Sequence, residues 1–215
     1  MLLRQENMNY PTFFDQAPVI EVHDGLAHVL GACVNGIITY RYIDAVRLAG
    51  HSCPTVAGAY LMTRRALALL YPGRMPERGE IRVRFSSALD EGVTGVIASI
   101  VTLVTGATGE GGFKGIGGRY RRQNMMRFSG ALEGDVSFER VDNGASIQLG
   151  VSLNGVPADP QTGVLLRAIL DGVATQEEAA AFAALWQDRV KRILIDHADD
   201  PELIRVKENV PAATP

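Results

Sequence analysis

Two hydrophobic periods run through the chain, and they predict different elements. Val56, Tyr60, Leu67 and Leu70 recur at helical spacing after Pro54, so a helix is expected from Pro54 to about Leu70, closed by Tyr71-Pro72-Gly73. A second helix is expected from Thr175-Gln176-Glu177-Glu178, a capping box, to about Asp196. It carries Phe182, Leu185, Trp186, Val190 and Ile193 on one face, a core or dimer stripe. Thr162 to Leu170 reads as a further helix ending near Asp171-Gly172, and Asp24 to Leu30 as a short one with Asp24 as N-cap. Asp44 to Leu48 reads as a short helical or irregular lead. The period of two appears in Gly79 to Phe85, where apolar and charged residues alternate as in a half-buried strand. Ile37 to Tyr42, Arg119 to Phe128, Ser137 to Val141 and Ser146 to Leu153 also read as strands, the last two joined by the hairpin signal Asp142-Asn143-Gly144. Val93 to Val104 is apolar on both sides and is expected to be a central strand.

The strands follow one another closely, which predicts an α+β fold: a largely antiparallel sheet packed against helices, with a C-terminal helix. Residues 1–20 form an expected arm, with Tyr10, Phe13 and Phe14 as its anchors. Residues 21–155 form the α+β domain. Residues 156–215 form a helical segment packing on the same domain or on a dimer partner, and Pro201 onward is expected to be a tail. With 215 residues, 47% of them hydrophobic, the chain has material for a real core. A net charge of −3 argues against general nucleic-acid binding. No apolar run reaches the ~18 residues of a membrane span, and the first residues lack the apolar core of a signal peptide. Two cysteines make no disulfide framework, which fits reduced thiols and a cytoplasmic protein.

Two stretches carry candidate chemistry. In the first, Gly50-His51-Ser52-Cys53-Pro54, proline suits the first helical position and makes Cys53 the expected N-cap. A thiol there faces free N–H groups and the positive helix end, which favours the thiolate. Residues two apart on extended backbone point the same way, so His51 and Cys53 are expected to converge on one point, as metal ligands or as a nucleophile with its base. The alternatives are a haem site through the Cys-Pro pair and plain packing residues. In the second stretch, Thr105 to Arg119, seven of 15 residues are glycine, so backbone N–H groups there can close on an anion. Gly106, Gly109, Lys114 and Arg119 are the expected holders of a small anionic ligand.

Together these residues give the chain a resemblance to the FmdE-like proteins, a family that takes its name from a component of formylmethanofuran dehydrogenase. The matching parts are Gly50-His51-x-Cys53-Pro54 with its helix, Thr105-Gly106-Ala107-Thr108-Gly109, and Gly112-Phe113-Lys114-Gly115. The likeness spans about Asp24 to Phe128. It implies an α+β metal-binding domain, often a homodimer, with zinc or another transition metal on His51 and Cys53. Many members carry a second histidine where this chain has Ala49 and a cysteine where it has Ala107. The resemblance leaves His23, His28, Asp90, Glu91 or a second protomer to complete the ligand set.

Overall fold

Residues 10–210 are described in the computed structural model of the protein. Residues 1–9 of the expected arm and 211–215 of the expected tail lie outside the described residues. Phe13 and Phe14 sit in a 3-10 turn, Thr12–Gln16, and both rings are buried, Phe14 edge-on to Tyr42 at 5.0 Å. One apolar cluster takes in side chains from Phe13 to Ile204. The early segment and the late helices therefore build the same core.

The element at its centre is α3 (Pro54–Leu70), with the bounds its proline and periodicity predict. Twelve of its 17 residues are buried, because it packs on the sheet and on its neighbouring helices at once. Gly58 allows this: a Cβ there would stand 2.9 Å from Val151 Cγ1. Before it come β1 (Ile20–His23), α1 (Gly25–Val29), β2 (Ile37–Tyr40) and α2 (Tyr42–Ala49). β1 and β2 form a two-stranded antiparallel sheet, Ile20 opposite Tyr40. Asp24 caps α1 as its sequence position predicts, accepting from Leu26 N and Ala27 N.

The main sheet follows α3. Its strands are β3 (Ile81–Phe85), β4 (Met126–Arg127), β5 (Val136–Arg140), β6 (Ser146–Val151) and β7 (Ile204–Val210), in the order β4-β3-β5-β6-β7. Only β3–β4 is parallel; the other pairings are antiparallel. Ile81, Val83 and Phe85 face the core, and Arg82 and Arg84 face away. The α+β class and the largely antiparallel sheet are thus as expected. α5 (Gln161–Leu170) and α6 (Gln176–Lys191) form a helical hairpin, and α6 continues into a π-helical turn, Arg192–Asp196.

Three expectations are overturned. Val93 to Val104 is not a strand but α4 (Thr94–Thr105), packed against α2 and α3 and ended by Gly106 at φ 74°. Arg119 to Phe128 does not run as a strand: Tyr120 and Asn124 adopt positive φ (61° and 60°), which breaks any extended run and leaves β4 two residues long. Among the described residues, the stretch after Pro201 is not a tail: it enters β7 at Ile204 and pairs with β6 at the sheet edge.

Candidate functional site

The loop between α2 and α3 descends from surface to core within three residues: His51 exposed, Ser52 half-buried, Cys53 buried. Gly50 starts it, capping α2 with φ 75°. Cys53 is the N-cap of α3, its Sγ accepting the Val56 N–H at 3.4 Å, and 9% of its surface is exposed. His51 Nδ1 lies 2.9 Å from the Ala49 carbonyl. A carbonyl oxygen only accepts, so Nδ1 carries the proton, and in the neutral ring the free lone pair is on Nε2. The imidazole borders a hollow of 250 Å³ whose other walls are Leu48, Ala49, Gly95, Val96 and Ser99. None of those walls offers an imidazole, thiol or carboxylate, and Cys53 is not among them. Among the described residues no three His, Cys, Asp or Glu side chains come together as a metal group.

Ser52 is held from several sides. The Tyr42 hydroxyl donates to Ser52 Oγ at 3.0 Å, and Ser52 Oγ donates to Gln187 Oε1 at 2.9 Å. Trp186 Nε1 and Gln187 Nε2 both donate to the Ser52 carbonyl, at 3.0 and 3.1 Å. Tyr42 is fully buried, which pushes its phenol well above the ordinary value and keeps it a hydrogen-bond donor. α6 thus brings the indole N–H of Trp186, from its apolar stripe, and the amide of the adjoining Gln187 to the His51–Cys53 loop, a role periodicity alone does not reveal.

The glycine-rich stretch is stitched to residues 122–126 and not wrapped around open space. Gly106 N–H is engaged with Thr102 O, and Thr108 N and Oγ1 both donate to Arg122 O. Gly109 O accepts from Asn124 N and Gly112 N. Lys114 is exposed and makes no ion pair among the described residues. Of the four expected anion holders, Arg119 alone is seated on the large hollow that this stitching creates.

That hollow is one half of a groove. One part, 500 Å³, is lined by Arg82, Arg84, Arg121, Arg127, Asn124 and Glu139 among others. The next, 600 Å³, shares Arg82, Arg121, Asn124 and Met125 with it and adds Gly79, Glu80, Gly118, Arg119 and Tyr120. Five arginines face two glutamates there, an excess of three positive charges on a chain whose net charge is −3. Glu139 meets Arg82 at 2.8 Å and Arg84 at 3.5 Å. Arg119, Arg121 and Arg127 have no carboxylate partner among the described residues. Burial pushes the Glu80 carboxyl above its usual range, with Arg122 opposing.

Under the groove lies a buried charged hub. Arg122 Nη2 donates to Asp24 Oδ1 at 2.7 Å, and Arg78 Nη1 to Asp24 Oδ2 at 2.8 Å. Arg122 Nη1 donates to the Arg78 carbonyl at 2.7 Å. Burial raises the Asp24 carboxyl, but the Arg78 hydrogen bond, the Ala27 N–H and the Arg122 charge outweigh it and hold the group below its ordinary value. The Arg122 guanidinium occupies the space above Gly79, where a Cβ would fall 0.7 Å from Nη1. Arg119 and Arg121 beside it are exposed and Tyr120 is half-buried, whereas Arg122 turns inward and is 6% exposed. No protein-family model matches the chain, and no curated protein matches it significantly.

Proposed function

We propose that the protein binds a compact anion carrying two or more negative charges in the arginine-walled groove beside the glycine-rich stretch. The observation that carries this reading is the set Arg119, Arg121 and Arg127, three guanidiniums on one hollow without carboxylate partners among the described residues. Guanidiniums present forked donors that match phosphate and carboxylate oxygens in pairs. Their mutual repulsion across the groove is relieved when an anion enters, and Glu139 is already engaged with Arg82 and Arg84. The acidic chain around the groove disfavours a long polyanion, which selects for a small one. Titration calorimetry with tripolyphosphate tests this. Saturable binding that weakens with salt is expected, and Arg121→Ala with Arg127→Ala weakens it by about tenfold for each guanidinium removed. No saturable heat, or a double variant that binds as the wild type does, refutes the reading.

A second reading, the transition-metal site that the FmdE-like resemblance implies, is favoured by one observation: the Nδ1–H bond to Ala49 O leaves the Nε2 lone pair of an exposed imidazole free. Metal-ligating histidines are commonly oriented by such a bond. The resemblance assigns an ion to His51 Nε2 and Cys53 Sγ, a donor pair that suits zinc; the thiol, buried on the Val56 N–H, has to turn outward to join the exposed imidazole, and the other positions go to ligands from outside the chain. An ion held there would activate water or polarise a carbonyl. Elemental analysis and an absorption spectrum of protein purified without chelator decide the matter. About one equivalent of metal, lost in His51→Ala and Cys53→Ala, supports zinc or a related ion. A Soret band supports haem, and neither signal refutes both.

A further inference from the structure

The segment from Ser86 to Val93 leaves β3 and enters α4 through turns, with Gly92 at φ 56°. It borders a cavity of 360 Å³ between α3, the start of α4 and the ends of β5 and β6. Met62, Phe85, Ile97, Val136, Val151 and Leu153 give it apolar walls, and Met62, Phe85 and Val136 are themselves core residues at 0–2% exposure. Ala59, on α3, keeps the space open on that side. The rim carries large apolar side chains in water: Val93 is 51% exposed, and Leu89 in the same segment is 54% exposed.

Two carboxylates, Glu91 and Asp135, also line the cavity, and no lysine or arginine does. Each has one oxygen tied to backbone: Glu91 Oε2 accepts from Ala88 N, and Asp135 Oδ2 from Val151 N. The other oxygen of each has no hydrogen-bond partner among the described residues. An apolar space with a doubly negative mouth complements an apolar molecule with a positive end. For scale, a dry cavity of about 150 Å³ accepts benzene, and ligand sites run from roughly 300 to 1,000 Å³. We propose that this cavity binds a molecule of one or two rings bearing a protonated amine, the rings against Met62, Phe85 and Ile97 and the ammonium at Glu91 and Asp135. It is separate from the arginine groove and opposite to it in charge, so the chain has two sites of different chemistry.

The full chain is titrated with 1-naphthylmethylamine, with 1-naphthoate as its anionic counterpart, and naphthalene fluorescence is read. The amine is expected to bind saturably and at least about fivefold more tightly than the carboxylate, the size two exposed ion pairs supply. Val93→Trp fills the mouth and is expected to abolish amine binding while leaving tripolyphosphate binding in the groove unchanged. Glu91→Gln with Asp135→Asn keeps both backbone hydrogen bonds, removes both charges, and is expected to erase the preference for the amine. Equal affinity for the two probes, no saturable amine binding, or a V93W protein that binds the amine as the wild type does overturns the proposal.

Discussion

Replacing Asp24 by asparagine removes one charge from the hub beneath the groove and nearly nothing else. Oδ1 accepts three hydrogen bonds, from Leu26 N at 2.9 Å, Ala27 N at 3.1 Å and Arg122 Nη2 at 2.7 Å. The asparagine carbonyl can take that place, so the α1 cap survives. Its amide nitrogen then faces Arg78 Nη1, where the native distance is 2.8 Å, and two donors oppose each other. The side chains of Arg78 and Arg122 are 20% and 7% exposed, so their charges are poorly solvated once the carboxylate is gone. Breaking a buried pair by removing one partner costs about 3–5 kcal/mol. Arg78 keeps some contact with water, which places Asp24→Asn near the lower end, about 3 kcal/mol. Asp24→Ala also loses the cap, worth about 1 kcal/mol more.

For a chain of this size each kcal/mol moves the melting midpoint by about 2–4 °C, so Asp24→Asn should melt roughly 10 °C below wild type and Asp24→Ala lower still. Urea titration at pH 7 supplies the free energies. Asp24 has its carboxyl held below the ordinary value in the folded state, so its stabilisation is fully present above the unfolded value of about 3.9 and is lost as pH falls through the folded one. The gap between wild type and Asp24→Asn is therefore constant near neutrality and closes in acid. An Asp24→Asn protein within about 1 kcal/mol of wild type, or a gap that widens below pH 4, refutes the account of the hub.

Further outcomes follow from neighbouring geometry. Gly79→Ala places a Cβ on Arg122 Nη1 at a backbone φ of 88°, and should destabilise the fold by about 3 kcal/mol or more, read as a drop in melting midpoint. Gln187→Ala removes two hydrogen bonds to Ser52 and should speed iodoacetamide labelling of Cys53 severalfold, while Cys33, which lies elsewhere and is half-buried, labels at its wild-type rate. Because burial raises the Glu80 carboxyl and the arginines stay charged, the groove should hold sulfate more tightly as pH falls from neutrality toward the carboxylate range, the gain starting above the ordinary glutamate value; Glu80→Gln should flatten that dependence, which calorimetry at several pH values measures.

Local signals are legible in this chain and long-range ones are not. Pro54 behind Cys53, Asp24 before Gly25 and the Thr175–Glu178 box each announce a helix start through a cap, and all three caps are present. α4 reads as a strand because it is wedged against α2 and α3 and shows almost no polar face, so its helical period is hidden and its β-branched residues resemble a buried strand. Its end at Gly106 is the available clue, since a left-handed glycine closes a helix and not a strand. β1 and β7 are stabilised by partners distant in sequence or by edge pairing, which no local window contains. For the site, Arg119 is legible as a cation near glycines. The groove is not, because Arg82 and Arg84 reach it from β3 and Arg127 from β4. The inward turn of Arg122 depends on Gly79, more than forty residues earlier in the chain.

The bonds from Trp186 and Gln187 to Ser52 join positions 134 and 135 residues apart. During synthesis, the His51–Cys53 loop therefore waits for its last supports until α6 has left the ribosome. Until then α3 starts from a loosely held N-cap, and Cys53, sealed in the finished molecule, is open to oxidants.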